Sequence, residues 1–391
     1  MPSMTRRSLF RTSLGLVAAG AVTRPFIAKG QVPNFVSSST VTSDTWARFP
    51  RNVVYYEMES PIPDLPPTPA DPLPWLATVQ EFPYTDVIIG FLVPDPTNTH
   101  LIGDNSTIWG PDNNINGQPL MQLKGYIQRL RSVGKNVLLS VGGQVRQAGT
   151  PGAWTSELYQ SWFGNERALA QEIANWVINL GASGVDIDYE DDNALVPTPP
   201  YSGVMFLEQL TINLFSLLPT SGNIITHAPP SPFWDTNTTP YNFNGAYLQV
   251  HQSVGKYIAW YNTQFYGNAI NGNLYDGPIE SKIALYKQFA AAMGQPEKLL
   301  LGVSLDPSES VMNDPNQTFE GGVAYPGGDS DLGNAIAQLE GSFPQFGGCM
   351  TWELPYDYAN GQYGYWSRLI AGALAPEVNS GADDAYTAPP Y

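Results

Sequence analysis

Gly184-Val-Asp-Ile-Asp-Tyr-Glu190 reads as a β-strand with three acids on one face. Asp186, Asp188 and Glu190 fall two residues apart, and Val185, Ile187 and Tyr189 occupy the places between. Side chains two apart on a strand point the same way. One face is therefore apolar and suited to a core. The other crowds three like charges, at a cost in free energy unless a proton or hydrogen bonds relieve it. Such crowding is a mark of functional sites.

Working outward from this strand, apolar runs alternate with helical patterns. Val53–Tyr56, Asp86–Val93 and Asn136–Ser140 precede it as strands. Asn223–Ala228, a strand within Tyr257–Tyr266, Lys298–Leu305 and Gly348–Glu353 follow it. Between them, Leu120, Leu123, Ile127 and Leu130 recur at helical spacing, as do Leu169, Ile173, Trp176 and Leu180 before Gly181. Further helix faces run through Phe206, Leu210 and Leu214, through Ile283, Tyr286, Phe289 and Met293, from Leu332 to Leu339, and from Trp366 to Leu374. The proline-rich stretch from Pro61 to Pro74 excludes regular structure there. Eight strands, most followed by a helix, predict a single-domain (β/α)8 TIM barrel over residues 31–376. The alternative, an open doubly wound sheet, lacks the glycine-rich phosphate loop expected after its first strand. Residues 377–391 read as a poorly ordered tail.

Composition narrows the function. The chain is 42% hydrophobic and 14% charged, which excludes a disordered chain or a coiled coil. Its formal net charge of -17 argues against nucleic acid or anionic lipid as a partner. A single cysteine, Cys349, permits no internal disulfide and reads as a small buried apolar residue. His100, His227 and His251 lack metal-ligand spacing to one another, so neither metal nor cofactor is expected. His227 reads as a satisfied rim residue or, alternatively, as a substrate donor. Ten Trp and 21 Tyr suit packing on sugar rings as well as a core. At the N-terminus, Thr5-Arg6-Arg7-Ser8-Leu9-Phe10 precedes a short apolar run from Leu14 to Val22. Residues 1–30 therefore read as a twin-arginine export signal, and the mature chain is expected outside the cytoplasm, as a monomer free of membrane.

In a barrel the C-terminal strand ends converge on one rim. That brings together Glu190, Ser140 with Gly142 and Gly143, Ala228, Gln264, Tyr266 and Trp352. The runs Val137-Leu-Leu-Ser-Val-Gly-Gly143, Gly184–Glu190, Gln264-Phe-Tyr266 and Gly347-Gly-Cys-Met-Thr-Trp352, in this order, resemble glycoside hydrolase family 18, the chitinases. The resemblance covers roughly residues 50–375. It implies that Glu190 is the general acid, that Asp188 orients the substrate's 2-acetamido group, and that Asp186 shares a proton with Asp188. It also implies that Tyr266 holds the acetamido carbonyl and that Trp352 floors the sugar subsite. In this family the substrate's own N-acetyl oxygen is the nucleophile, so configuration is retained.

The substrate-contact expectations are Tyr56, Phe91, Gly142, Gly143, Ala228, Gln264 and Trp352. Only one of Tyr55 and Tyr56 can face inward, and Tyr56 is the expected one. Trp75, Trp154 and Trp234 are open between groove aromatics and local packing. The family motif usually opens with a further Asp, where this chain has Ser183; a hydrogen bond from Ser183 and an altered pH dependence are expected. The short interval from Asp306 to Gly347 leaves little room for an inserted domain, so a compact, plant-type-like enzyme with an open groove and endo cleavage is expected. The resemblance implies chitin or N-acetylglucosamine oligosaccharides as substrate. An endo-β-N-acetylglucosaminidase acting on N-glycan cores, or a non-catalytic sugar-binding relative, are the alternatives.

Overall fold

The barrel strands are short, apolar and flanked by turn residues, and each finds a parallel neighbour. The computed structural model describes residues 50–57, 79–94, 100–103, 118–144, 154–196, 201–236, 243–267, 279–305, 329–358 and 364–374, all in the unit Arg48–Tyr391. Its strands are β1 (Arg51–Tyr56), β2 (Asp86–Pro94), β3 (Leu101–Gly103), β4 (Asn136–Gln144), β5 (Gly184–Glu190), β6 (Ile224–His227), β7 (Trp260–Gln264), β8 (Leu299–Ser304) and β9 (Gly348–Trp352). The ring runs β1-β9-β8-β7-β6-β5-β4-β2, and β2 pairs back onto β1. All these pairings are parallel, so the ring is a closed barrel of eight parallel strands. β3 lies outside it, antiparallel to the far end of β2.

Helices cover the outside. They are α1 (Gln118–Ser132), α2 (Ser156–Ser161), α3 (Glu166–Leu180), α4 (Asp192–Leu195), α5 (Gly203–Leu217), α6 (Ala246–Val254), α7 (Ile279–Met293), α8 (Asp329–Ser342), α9 (Leu354–Tyr358) and α10 (Tyr365–Ala373). In α3 the residues Leu169, Ile173, Trp176, Val177 and Leu180 form the buried face. Gly181, at φ 70, ends that helix, and its N–H reaches Ile178 and Val177. Ser202 caps α5 by accepting from the Met205 N–H, and Thr155 caps α2 by accepting from that of Leu158. With helices outside and side chains inside, the strands are buried on both faces, which is why β2 reads as a continuous apolar run.

The barrel floor is polar. Arg51 Nη1 donates to both oxygens of Asp86 at 3.1 Å, and its guanidinium lies 3.8 Å from the Trp260 ring centroid. Thr85 and Asn136 also donate to Asp86, at 2.6 and 2.7 Å. At the same end the Ser183 Oγ accepts from the Val137 N–H at 3.0 Å and so joins β4 to the residue before β5. Ser183 precedes Asp186 by three residues and Glu190 by seven, roughly 10 and 23 Å along a strand. It works as a backbone tie at the floor.

The ends of three strands differ from the sequence reading. β4 continues past Ser140 to Gln144, because Gly142 and Gly143 stay in the ladder against Asp188 and Tyr189. β6 and β7 end earlier, so Ala228 lies one residue beyond β6 and Tyr266 two beyond β7. The export signal, the proline-rich stretch, Trp75, the tail and residues 306–328 lie outside the described residues; the rest of the last interval holds α8. No helix among the described residues is long and apolar enough to cross a membrane.

Candidate active site

Strand parity stacks the inward side chains in tiers from floor to rim. Asp186 occupies the middle tier and is fully buried. Its Oδ2 accepts from Tyr55 Oη at 2.6 Å and from Ser140 Oγ at 2.8 Å. Its Oδ1 accepts from Thr226 Oγ1 at 2.6 Å and from Asn262 Nδ2 at 3.1 Å. The register explains the convergence: Ser140 and Thr226 both stand opposite Asp186. Burial raises the Asp186 pKa, and the four hydrogen bonds act against that rise.

One tier higher, Asp188 is buried and hydrogen-bonded to Glu190. Burial first, then the charges of Glu190 and Asp186, and then its hydrogen bond to Glu190 and the charge of Glu57, hold the Asp188 pKa well above the usual carboxylate range. Burial and the neighbouring negative charges thus favour the neutral form of Asp188. Gln264 secures the pair. Its Nε2 donates to Asp188 Oδ1 at 2.9 Å, to Glu190 Oε1 at 3.2 Å and to the Ala228 carbonyl at 2.9 Å. Four donors surround Asp186, while Asp188 is hydrogen-bonded to Glu190. The acids titrate as a coupled set.

Aromatic rings line the inner wall. Tyr55 lies 6.5 Å from Phe91 and 5.7 Å from Trp352, and Phe91 lies 6.1 Å from Trp352. Tyr55, not Tyr56, is therefore the inward tyrosine, which corrects the expectation for Tyr56. Tyr55 shares its parity with Val53 and Arg51, and Arg51 is fixed inward by Asp86. Tyr266 places its hydroxyl 3.9 Å from Met350 Sδ and close enough to Tyr55 to raise that phenol's pKa. Gly142 sits at φ 125, where a Cβ would meet the Asp188 carbonyl at 1.9 Å; Gly143 sits at φ 94, with room for a Cβ at 3.7 Å from the Phe91 ring. Gly142 lets the neighbouring strand approach, and both positions hold a backbone conformation that suits glycine. The Ala228 N–H donates to the Ile187 carbonyl, fixing the carbonyl that Gln264 uses.

Several residues resolve into packing. Trp154 donates to the Leu92 carbonyl and stacks on Tyr159 at 4.3 Å, and Trp234 donates to Thr263 Oγ1. His227 lies opposite Ile187 and so faces the helices, between Thr211 Oγ1 at 3.1 Å and Tyr247 Oη at 3.3 Å. It is a satisfied core residue and not a rim residue. Cys349 is buried, with its thiol pushed up by burial. Among the described residues no cluster of His, Cys, Asp and Glu could hold a metal ion.

Sequence reasoning missed five polar groups. Thr226 and Asn262 complete the Asp186 environment, and parity with Ala228 and Gln264 was the signal that would have found them. Glu57 and Glu353 follow β1 and β9 and are buried, with the Glu57 N–H donating to Glu353 Oε2 at 2.9 Å. Asp192, next to the rim, is pushed up to about 7 by burial and by the charges of Glu190 and Asp191.

A closed parallel barrel with an acid column at its C-terminal mouth is the architecture of a carboxylate-based glycoside hydrolase. The chain is similar to a family 18 chitinase from Pseudoalteromonas aurantia at 26% identity, with a TM-score of 0.60, over 83% of this chain and 100% of that one. It shares its fold with a fungal endo-β-N-acetylglucosaminidase of the same family, at 20% identity and a TM-score of 0.57, over 85% of this chain and 100% of the other. A family 18 chitinase catalytic domain from the fern Peteris ryukyuensis also has this fold, at 16% identity and a TM-score of 0.50, over 82% and 98% of the two chains. No family model and no curated protein sequence matches the chain. The structural homologues are family 18 glycoside hydrolases, in keeping with the resemblance carried by the strand motifs.

Proposed function

We propose that the chain is a secreted endo-acting chitinase that hydrolyses β-1,4-linked N-acetylglucosamine polymers by substrate-assisted catalysis. The observation that carries this reading is the hydrogen-bonded Asp188–Glu190 pair, held by Gln264 beside the Tyr55–Phe91–Trp352 wall. Glu190 delivers the pair's proton to the glycosidic oxygen as the bond from C1 to that oxygen breaks. The substrate's acetamido oxygen bonds to C1, forming an oxazolinium ion. Asp188, left as an anion, accepts the acetamido N–H and faces the positive ring. Water then attacks C1, the bond from C1 to the acetamido oxygen breaks to restore the acetamide, the water's proton passes to Glu190, and the configuration is retained. An internal nucleophile needs orientation more than activation, and Asp188 and Tyr266 supply it. The aromatic wall supports a sugar face. Export rests on the twin-arginine pattern at Arg6 and Arg7 and belongs to the same proposal.

The test compares wild type with Glu190→Gln on chitin oligomers and on a high-mannose glycopeptide. Wild type is expected to cut the oligomers internally, with Glu190→Gln slower by about 10²-fold or more. Equal rates overturn the assignment, and cleavage of the glycopeptide alone transfers the site to N-glycan cores.

A further inference from the structure

We infer that Lys282 is a positioning residue: from the first turn of α7 it holds the Phe265 carbonyl, which orients the next peptide and so fixes the phenol of Tyr266 at the barrel mouth. This rests on the hydrolytic reading above and adds to it a residue from outside the barrel.

The pairing of β7 with β8 ends at Gln264, opposite Gly302, and Tyr266 lies two residues further on. Ties to other elements hold the chain as it leaves the ladder. The Gln264 N–H donates to the Pro229 carbonyl at 2.9 Å, and the Phe265 N–H to the Gly302 carbonyl at 3.2 Å. The Phe265 carbonyl in turn accepts from Lys282 Nζ at 2.7 Å. That carbonyl shares one rigid plane with the nitrogen and Cα of Tyr266. Holding its oxygen therefore sets the direction in which the Tyr266 side chain leaves the backbone. The two rings part at this point. Phe265 packs outward on Tyr286 and Phe289, with centroids 6.3 and 6.1 Å away. The Tyr266 hydroxyl turns inward, 3.9 Å from Met350 Sδ on β9 and near Tyr55. Lys282, Tyr286 and Phe289 follow one another at spacings of four and three, so a single face of α7 holds both the ring and the carbonyl of Phe265. Lys282 is only 1% exposed. Lysine is almost never buried so completely, and a cation in the first turn of a helix runs against the helix dipole. An apolar residue would avoid both costs but would take this donor from the Phe265 carbonyl.

The experiment measures kcat and KM on a chitin oligomer for Lys282→Met in the full chain, with and without Tyr266→Phe. Lys282→Met is expected to lose about 10-fold or more, mostly in kcat, as the misplacement of an orienting group does. In the Tyr266→Phe background the same substitution should cost less than about twofold, because the hydroxyl it positions is gone. Lys135→Met is the control. That lysine is also buried and also donates to carbonyls, those of Phe82 and Tyr84, but beside Asn136 at the barrel floor. Its loss should lower unfolding stability and leave kcat per folded molecule unchanged. Equal losses in the two Tyr266 backgrounds, or an equal loss of kcat in Lys135→Met, overturn the inference. Should Lys282→Met fail to fold, Lys282→Gln, whose donor stops one bond short, replaces it in the same comparison. The ¹³Cζ resonance of Tyr266, assigned by its loss in Tyr266→Phe, gives a readout free of turnover. It should shift in the Lys282 variant and not in Lys135→Met, and an unmoved resonance also overturns the inference. If the wild type cleaves no oligomer, the chitinase reading fails while that resonance still decides the placement of Tyr266.

Discussion

Gly142 and Gln264 show how much the site depends on single atoms. A Cβ at Gly142 would lie 1.9 Å from the Asp188 carbonyl, at a φ of 125 that other residues rarely adopt. Gly142→Ala is therefore expected to cost at least about 2–3 kcal/mol and to displace Asp188, as read by denaturant unfolding alongside activity. Gln264 has two amide hydrogens for three acceptors, so Asp188, Glu190 and Ala228 compete for one nitrogen. Gln264→Leu removes that clamp without touching an acid. We expect kcat on chitin oligomers to fall by about 10²-fold, the usual cost of a small misplacement, with KM less affected.

Among the elements, β1 and β2 carry the barrel's buried ion pair. Asp86→Ala would take from buried Arg51 its carboxylate partner beneath Trp260. A loss of about 3–5 kcal/mol is expected, measured by chemical unfolding, with catalysis per folded molecule less changed because the pair sits at the floor. The strands themselves were legible as apolar runs. β3, with three residues, was too short to leave a pattern, and α6 has only Ala246, Tyr247, Val250, His251 and Val254 to mark its buried face. The acid column was legible because its parity is explicit in three alternating residues. Tyr55 was not, because both faces of a barrel strand are buried and composition cannot choose between neighbouring tyrosines. Only the register of β1 against β2, with Val53 opposite Asp86, fixes which one enters the ring.

For the molecule as a whole, pH acts through buried groups of opposite sign. Burial lowers His227 to about 3 and, with the charge of Lys298, lowers His251 to about 4. The unfolded chain binds those protons near pH 6.5, so the histidines favour the fold at neutral pH and lose that contribution as pH falls through 6.5 toward 3. Asp357 is pushed up to about 6, chiefly by burial, so it retains its proton in the fold and acts the other way between about pH 4 and 6. The overall profile is a compromise, but a difference isolates one group. The stability gap between wild type and His227→Gln should shift by about 2 kcal/mol from pH 7 to 5, with the wild type losing ground on acidification. Parallel melts at the two pH values measure it, and a pH-independent gap would contradict the buried neutral imidazole.

The hydroxyl that seats Asp186 comes from Tyr55, on the first strand of the ring, while the acid stands on the fifth strand along the chain. Tyr55 stands on a continuous run of paired strands, β1-β2-β4-β5, that ends at the acid it seats. The ring closes elsewhere, where β1 meets β9 and the Thr351–Val53 bond joins residues 298 apart in sequence. Pairings between such distant segments form late and slowly. The anchor of Asp186 therefore belongs to the early, sequence-local half of the barrel, and closure is the slow step that follows it.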